Sequence, residues 1–450
     1  MPSPRGHFTF QLNRKPITVK DVAPQTTLLD FVRSQGLTGA KEGCAEGECG
    51  ACAVLLVREV SGKTTLLAAN SCLIPLPMVA GGEVYTVEDL ADGNALSEVQ
   101  QAMVEQGGSQ CGYCTPGFIV SMVAEQAGQR KSAHSLGGNL CRCTGYRPIR
   151  DAMESLGVLV NGHLFDRLSK PAPAFAALSY ENALGRFSKP ASLAECVRLA
   201  AADPEARFVA GNTDLGVVTN IRHHRFPHLI GLEGVPELRE FSDCEQYVEI
   251  GSALTLSEIE VLWTGAPPVL AEWFQLFASP LIRNRATLGG NLVTASPIGD
   301  SAPLLLALGA EVRLSRAGGE RVIPLEEFFL NYRQTALQPA ELLRSIRIPK
   351  PLPATIQFYK VAKRRMDDIS TVAACFSTGK RVKLAFGGVA AIPVRAYAAE
   401  RILEETQNWE QAKQAIGRAL SPLSDHRGSA AYRSAIAQSL LDKFQAEQTA

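Results

Sequence analysis

Residues 39–56 read "GAKEGCAEGECGACAVLL", and residues 68–76 read "AANSCLIPL". The cysteines run Cys44-x4-Cys49-x2-Cys52, with Cys72 after nineteen further residues. That is the plant-type [2Fe–2S] spacing, in which a tight loop supplies three thiolates and a later segment the fourth. Gly43, Gly47 and Gly50 are expected to adopt φ > 0 and bring amide N–H groups close to inorganic sulfide. The alternative is structural zinc, which takes pairs of short cysteine knuckles. A gap of four beside a gap of two in a glycine-studded loop suits the wider cluster better.

Upstream, "HFTFQLNRKPITVK" (7–20) alternates and turns like a β-hairpin, and "TTLLDFVRSQGL" (26–37) has the 3.6 period of a short helix ended by Gly36. Strands around a helix with the cysteine loop at the edge predict a ferredoxin-like β-grasp domain over residues 6–90.

Downstream, "SQCGYCTPGFIVSMVAEQ" (109–126) places Cys111-x2-Cys114 before Thr115 and Pro116, a good cap and first-turn pair. "NLCRCTGYRPI" (139–149) places Cys141-x-Cys143 shortly before Pro148, which opens a second helix. A disulfide across one residue would close a strained ring, and one helical face cannot present both positions. A loop can aim both sulfurs at one object. Both pairs sit at helix N-termini, where free N–H groups and the macrodipole favour an anionic thiolate centre. A second [2Fe–2S] cluster in a helical domain over 91–165 is expected. Zinc held by four thiolates remains the alternative for this set.

The chain has 450 residues, enough for several domains, with 46% hydrophobic and 20% charged residues. Lys plus Arg equals Asp plus Glu at 45 each, which argues against a nucleic-acid or anionic-membrane surface. "MPSPRGHFTFQLN" lacks a signal-peptide core, and the apolar run "APLLLALGA" is too short to span a bilayer. A cytoplasmic protein is expected, where eleven cysteines stay reduced. Cys196, Cys244 and Cys375 stand singly among apolar neighbours and read as packing residues.

"SKPAPAFAAL" (169–178) is Pro/Ala-rich and predicts a linker over 166–179. Beyond it, "RFVAGNTD" (207–214) feeds a strand into a Gly-Asn-Thr turn, a backbone nest suited to pyrophosphate. "RATLGGNLVTASPIGDSAP" (285–303) is a second polar glycine loop, with Thr294, Ser296 and Asp300 at short spacing. Together they point to a nucleotide-like cofactor, although no G-x-G-x-x-G fingerprint occurs. "RVKLAFGGVAAIPVRA" and two helical patterns predict a C-terminal α+β domain over 354–450. "IRHHRFPH" (221–228) reads as a surface turn, Glu326–Glu327 as a helix-start charge pair, and "SALTLSEIE" as a capped helix start.

The run "KEGCAEGECGAC…SC…QCGYCTPGF…NLCRCTGYRPI" resembles the iron–sulfur portion of the xanthine dehydrogenase family of molybdenum hydroxylases, across about residues 6–165. "FVAGNTDLG" and "LGGNLVTASPIGD" look like that family's FAD-binding segments, within the vanillyl-alcohol-oxidase-like (PCMH-type) flavin fold, here over 180–353. The resemblance implies a multidomain α+β chain and two [2Fe–2S] clusters, one on Cys44, Cys49, Cys52 and Cys72, the other on Cys111, Cys114, Cys141 and Cys143. It implies FAD contacts at Phe208, Val209, Ala210, Gly211, Asn212, Thr213, Asp214, Leu215, Phe277, Asp300, Leu343 and Lys360. Gln110 and Cys143 match positions touching the molybdopterin. Tyr332 and Arg365, Asp367 and Asp368 match positions where a nicotinamide cofactor approaches; Met366 departs from the acidic residue many relatives carry. On its own chemistry "KRRMDD" reads as a solvated charged turn.

No substrate site is expected on this chain. The resemblance implies a small subunit of a split enzyme, partnered with a molybdenum-binding large subunit in a heterotetramer of two copies each. It would pass electrons through both clusters and FAD to NAD while hypoxanthine and xanthine are oxidised to urate. An aldehyde or another N-heterocycle is the alternative substrate, and a zinc-stabilised interaction protein the alternative of another class.

Overall fold

The computed structural model describes residues 6–91, 93, 95–128 and 135–449. The chain is a multidomain α+β protein that folds as two compact units. The first comprises Met1–Val235, Thr255–Val261 and Ser279–Ala286; the second comprises Pro236–Leu254, Leu262–Ala278 and Thr287–Ala450.

The first unit begins with the expected hairpin, β1 (His7–Leu12) against β2 (Lys15–Lys20), followed by α1 (Leu28–Ser34). Thr27 caps α1 by accepting from the Asp30 amide, and Gly36 leaves it at φ +82°. With β3 (Ala53–Val60), β4 (Lys63–Asn70) and β5 (Glu83–Tyr85) these form a five-stranded sheet of order β2-β1-β5-β3-β4. Strand β3 explains why "AVLLV" is continuously apolar. Val54 and Leu56 face one core, which holds Phe10, Leu28 and Val32; Ala53, Leu55 and Val57 face another, which holds Phe118, Met122 and Ile149. Each Leu so buried contributes roughly 1.5–3 kcal/mol.

The second of these cores is covered by helices α2 (Glu98–Glu105), α3 (Thr115–Gly128), α4 (Arg147–Ser155) and α5 (Gly162–Leu168). Helix α3 is buried on almost every side, because it sits between the other helices and the β3–β4 pair. Helix α4 buries Ile149, Ala152 and Met153 at i, i+3 and i+4. The segment between α5 and β6 (Leu178–Asn182) has no regular structure.

Strands β6, β7 (Gly185–Lys189), β8 (Ala206–Val209) and β9 (His228–Gly231) make a four-stranded sheet of order β6-β7-β9-β8. Helix α6 (Leu193–Ala202) precedes β8, and α7 (Leu215–Ile221) lies between β8 and β9. Tyr180, Phe187, Val209 and Leu229 join the same core as the β-grasp residues Phe8 and Leu73, so these two sheets share one interior. Two later segments return to this unit as α8 (Leu256–Leu262, up to Val261) and α10 (Pro280–Arg283). The capping box foreseen for α8 is present: Thr255 N donates to Glu258, and Glu258 N to Thr255 Oγ1.

In the second unit β10 (Phe241–Asp243), β11 (Tyr247–Gly251), β12 (Glu311–Arg316), β13 (Gly319–Pro324) and β16 (Leu342–Pro349) form an antiparallel sheet of order β10-β11-β16-β12-β13. Helices α9 (Pro268–Leu276), α11 (Leu288–Val293) and α12 (Ser301–Leu308) accompany it, with a small hairpin of β14 (Phe329–Asn331) and β15 (Gln334–Thr335). All eight residues of α12 are buried, and Gly309 ends it in the left-handed region. Strands β17 (Thr355–Val361), β18 (Val372–Thr378), β19 (Lys383–Gly387) and β20 (Val394–Arg395) build a second antiparallel sheet. Three helices, not the two expected, follow it: α13 (Tyr397–Thr406) and α15 (Ala430–Thr449) pack on the sheet, and α14 (Trp409–Ala419) packs on α13 and α15. Gln407 in the left-handed region and the Asn408 cap split what reads in sequence as one helical pattern. No helix among the described residues is long and apolar enough to cross a membrane.

Candidate functional site

The loop between α1 and β3 carries Cys44, Cys49 and Cys52, and the 3₁₀ turn Ser71–Leu73 after β4 carries Cys72. The β3–β4 ladder sets their meeting, since Ala53 pairs with Asn70 and leaves Cys52 opposite the turn. Ser71 Oγ donates to Cys52 O over 2.6 Å, and Asn70 Nδ2 donates to Gly47 O over 2.6 Å. Cys52 and Cys72 are buried; Cys44 and Cys49 are half-buried.

The sulfurs associate in pairs, Cys44 with Cys49 and Cys52 with Cys72. Each pair is joined by a thiol–thiol hydrogen bond. That bond holds Cys44 down to about 5 and pushes Cys49 up; it likewise lowers Cys52 and raises Cys72. Two pairs suit two metal ions with two thiolates each. A single tetrahedral ion needs all four sulfurs around one point.

The glycines are only partly as expected. Gly47 and Gly50 take φ +82° and +67°. Gly43 does not adopt positive φ; a Cβ there would come within 2.8 Å of Cys49 Sγ, so its role is room for the sulfur. A Cβ on Gly50 would meet Asn139 Nδ2 and Gly138 O at 2.4 Å, and one on Gly117 would meet Gly50 O at 2.1 Å. The amide of Glu46 points at Cys44 Sγ over 3.4 Å, the N–H···S bonding that an iron–sulfur centre uses. Donor set and cradle fit a [2Fe–2S] cluster.

The second set repeats the pairing, Cys111 with Cys143 and Cys114 with Cys141. Thr115, expected to cap α3, is instead its first residue. Phe118 N donates to Cys114 O over 3.2 Å, which makes the cysteine itself the cap. Before α4 the chain turns through Tyr146 at φ +68°. Thr144 Oγ1 lies 3.2 Å from Cys141 Sγ, and the Thr144 amide donates to the same sulfur over 3.5 Å. Although burial opposes it, these bonds hold Cys141 below the usual thiol range, while burial and the bond to Cys141 push Cys114 up to about 12. Cys111 and Cys143 are exposed, as is Gln110 beside them, so this site opens to the surface. Two pairs and directed N–H groups again fit a two-iron centre.

The nest foreseen at Phe208–Leu215 is the β8–α7 turn, with Asn212 at φ +61° and Asp214 at the helix start. Gly211 is required by packing, since a Cβ would stand 1.9 Å from Arg285 O.

In the second unit, Lys360 Nζ donates to Asp300 Oδ2 over 2.7 Å and to Leu276 O over 2.8 Å, and Ser370 Oγ donates to Asp300 Oδ1. Trp273 Nε1 donates to Asp300 O over 3.1 Å, and the Trp273 ring lies 5.2 Å from that of Phe277, which caps α9. Phe277, Asp300 and Lys360 therefore belong to one constellation. Leu343 is buried on β16, beside Arg344, whose carbonyl accepts from Ser252 N over 3.0 Å; Ser252 in turn packs on Gly289. Ser252 Oγ and Ser301 Oγ are buried without a hydrogen-bond partner among the described residues. Such hydroxyls beside the 287–300 loop fit a polar cofactor that would satisfy them. Sequence reasoning missed both, because a serine in a turn after a strand or at a helix start carries no distinguishing pattern.

Tyr332 is exposed just beyond β14. Asp368 accepts from the Arg364 amide over 2.8 Å and pairs with Arg427, and Asp367 adopts φ +48°. The charged turn is thus internally tied.

Four family models match in sequence order: "2Fe-2S iron-sulfur cluster binding domain" over 10–77, "[2Fe-2S] binding domain" over 86–154, "FAD binding domain in molybdopterin dehydrogenase" over 180–351 and "CO dehydrogenase flavoprotein C-terminal domain" over 357–448. The xanthine dehydrogenase of Drosophila subobscura is 33% identical over 97% of this chain and 39% of its own length. Xanthine dehydrogenase 2 of Arabidopsis thaliana is 32% identical over 86% of this chain and 35% of its own. The chain thus spans little more than a third of these curated relatives. Among solved structures, a carbon monoxide dehydrogenase chain from Hydrogenophaga pseudoflava matches at TM-score 0.54 and 28% identity, covering 57% of this chain and 94% of that one. A chain of quinoline 2-oxidoreductase from Pseudomonas putida 86 matches at 0.52 and 28%, covering 57% and 93%.

Proposed function

We propose, because [2Fe–2S], FAD-binding and flavoprotein C-terminal family models match the chain in order and its relatives include xanthine dehydrogenases, that it belongs to the xanthine dehydrogenase family of molybdenum hydroxylases and is the electron-transfer subunit of a xanthine dehydrogenase. It would serve a molybdenum-bearing large chain that oxidises hypoxanthine and xanthine to urate, with NAD as acceptor. When bound, the clusters carry electrons singly and the flavin couples single-electron to two-electron transfer.

The observation that carries this is the pairing of eight cysteines at two sites of one chain. Cys44, Cys49, Cys52 and Cys72 would hold the first cluster, and Cys111, Cys114, Cys141 and Cys143 the second. Burial of Cys52 and Cys72 keeps water from the inner sulfurs of the first site. The amides of Glu46 and Thr144 hold their protons toward Cys44 Sγ and Cys141 Sγ and so favour the thiolate forms. Phe208–Leu215 would bind the FAD pyrophosphate through backbone amides; Phe277, Asp300, Leu343 and Lys360 are proposed as further FAD contacts. Lys360 neutralises the buried Asp300 carboxylate. Exposed Gln110, Cys111 and Cys143 suit a surface against which the molybdopterin of a partner would dock. Exposed Tyr332, with Arg365, Asp367 and Asp368, would face the nicotinamide. A heterotetramer in a reducing cytoplasm completes the proposal.

Turnover of the chain co-purified with its large partner tests it: xanthine-dependent reduction of NAD is expected. A second reading, favoured by the likeness to quinoline 2-oxidoreductase, keeps the chain's role and changes the substrate to another N-heterocycle or an aldehyde. Activity with those compounds and silence with xanthine would establish it.

A further inference from the structure

Two asparagines of the flavin-side segment reach into the first cysteine site. Asn220, on the helix after the nest, places Nδ2 2.8 Å from Cys72 O and 2.9 Å from Ala45 O. One amide thus donates to the carbonyl of the fourth ligand residue and to that of the residue after the first. Asn212, inside the nest itself, donates from Nδ2 to Leu73 O over 2.8 Å. Gly216 makes the approach feasible: a Cβ there would meet Asn212 Nδ2 at 2.9 Å and Leu73 Cδ2 at 3.0 Å. Leu215, Val217 and Val218 pack on the core that holds Cys72 and Leu73. The helix therefore touches the ligand turn through both apolar and hydrogen-bonded contacts.

We propose that Asn220 and Asn212 are positioning residues that clamp the Cys72 turn to the nest, and that Asn220 also sets the reduction potential of the first cluster. The inference rests on the function proposed above. Its physical basis is local. Reduction adds negative charge to a centre held by Cys44 and Cys72. The carbonyls of Ala45 and Cys72 are partial negative charges of the ligand segments themselves, and the Asn220 amide offsets both. Without it the reduced form is disfavoured at this site alone. Asn212 is less suited to substitution, because its positive φ adds backbone strain in any variant other than glycine.

The test is a redox titration of the full iron- and flavin-loaded chain, wild type and Asn220→Ala, following each cluster's paramagnetic signal. The expected result is a lower potential for the first cluster only, shifting electron partition between the two clusters by roughly tenfold, or about 59 mV for a one-electron couple. Loss of iron from the first site alone would also support the clamp. Two clusters with full iron and unchanged potentials would overturn it. A wild-type chain that holds no iron would instead overturn the functional reading, an outcome distinct from the effect of the substitution.

Discussion

The amide of Leu140 donates to the carbonyl of Cys49 over 3.0 Å. Leu140 precedes Cys141, so this hydrogen bond links the backbone of Cys49, in the first cysteine site, to the residue preceding Cys141, in the second. Asn139 strengthens the junction: its Nδ2 lies 3.4 Å from Gly50 O, and its Oδ1 accepts from Ser121 Oγ over 2.8 Å. Helix α3 can approach this loop only because residue 117 is glycine. Gly117→Ala forces Cβ against the Gly50 carbonyl and is expected to cost about 1–3 kcal/mol. Thermal melts should show that loss, and iron should be retained less well at both sites. An unchanged melt and full iron would count against a tight junction.

The paired sulfurs make separate predictions for each site. Cys72→Ser should halve the iron content and abolish one paramagnetic signal, leaving the signal of the Cys111–Cys143 site. Cys143→Ser should do the reverse. Loss of all metal in either variant would point to one shared centre.

Glu233 and Arg285 form a buried ion pair with 2.8 Å between Oε2 and Nη1. Lys189 lies close by, donating to Met78 O and Ala80 O; burial holds it down to about 8. Against the cost of its own burial, Arg285 and then Lys189 keep the Glu233 carboxyl below the usual range. Glu233→Ala leaves two cations buried without it and is expected to destabilise by about 3–5 kcal/mol. Denaturant melts of this variant and of the Glu233→Met/Arg285→Met double variant distinguish the cases. The double variant should lie much closer to wild type.

His228 makes a pH-dependent prediction. Its Nδ1 is 2.9 Å from Asp203 Oδ2, and its Nε2 is 2.9 Å from Ser188 Oγ. Burial, opposed by Asp203, lowers the imidazole below 6.5. A native state that resists protonation is stable above the unfolded value and loses stability as pH falls from 6.5 toward the folded one. Asp203 is also lowered: burial opposes this most strongly, but the bond to His228, the Glu205 amide and the Arg186 charge together outweigh it, so its contribution disappears further down, as pH falls below 3.8. Melts at pH 7.5 and 5.5 should show acid weakening that His228→Gln reduces. An equal slope in the variant would contradict this.

Much of the iron–sulfur half is legible in sequence because thiolate spacing is a chemical constraint. Cys44, Cys49 and Cys52 can share a loop in few ways, and Gly47 and Gly50 announce its turns. Helix α1 is readable from its period and the Gly36 stop. The flavin half is harder. Asp300 and Lys360 are sixty residues apart, and nothing local marks them as a pair. Asn220 looks like any polar helix residue until α7 is laid against the Cys72 turn, and Gly211 reads as a loop glycine although the Arg285 carbonyl is what requires it. Long-range backbone approach leaves no periodic trace. The cap before α3 stands one residue earlier than the sequence predicts: Thr115 is the better capping side chain, but the Cys114 carbonyl takes the first helical bond.

Metal and flavin analysis of the purified chain, with low-temperature EPR after anaerobic reduction, tests the central claim most directly. If the two cysteine sites each hold a pair of irons and the chain binds one flavin, four iron and one FAD per chain and two distinct [2Fe–2S] signals are expected. A colourless, zinc-loaded chain that stays silent after anaerobic reconstitution would contradict it.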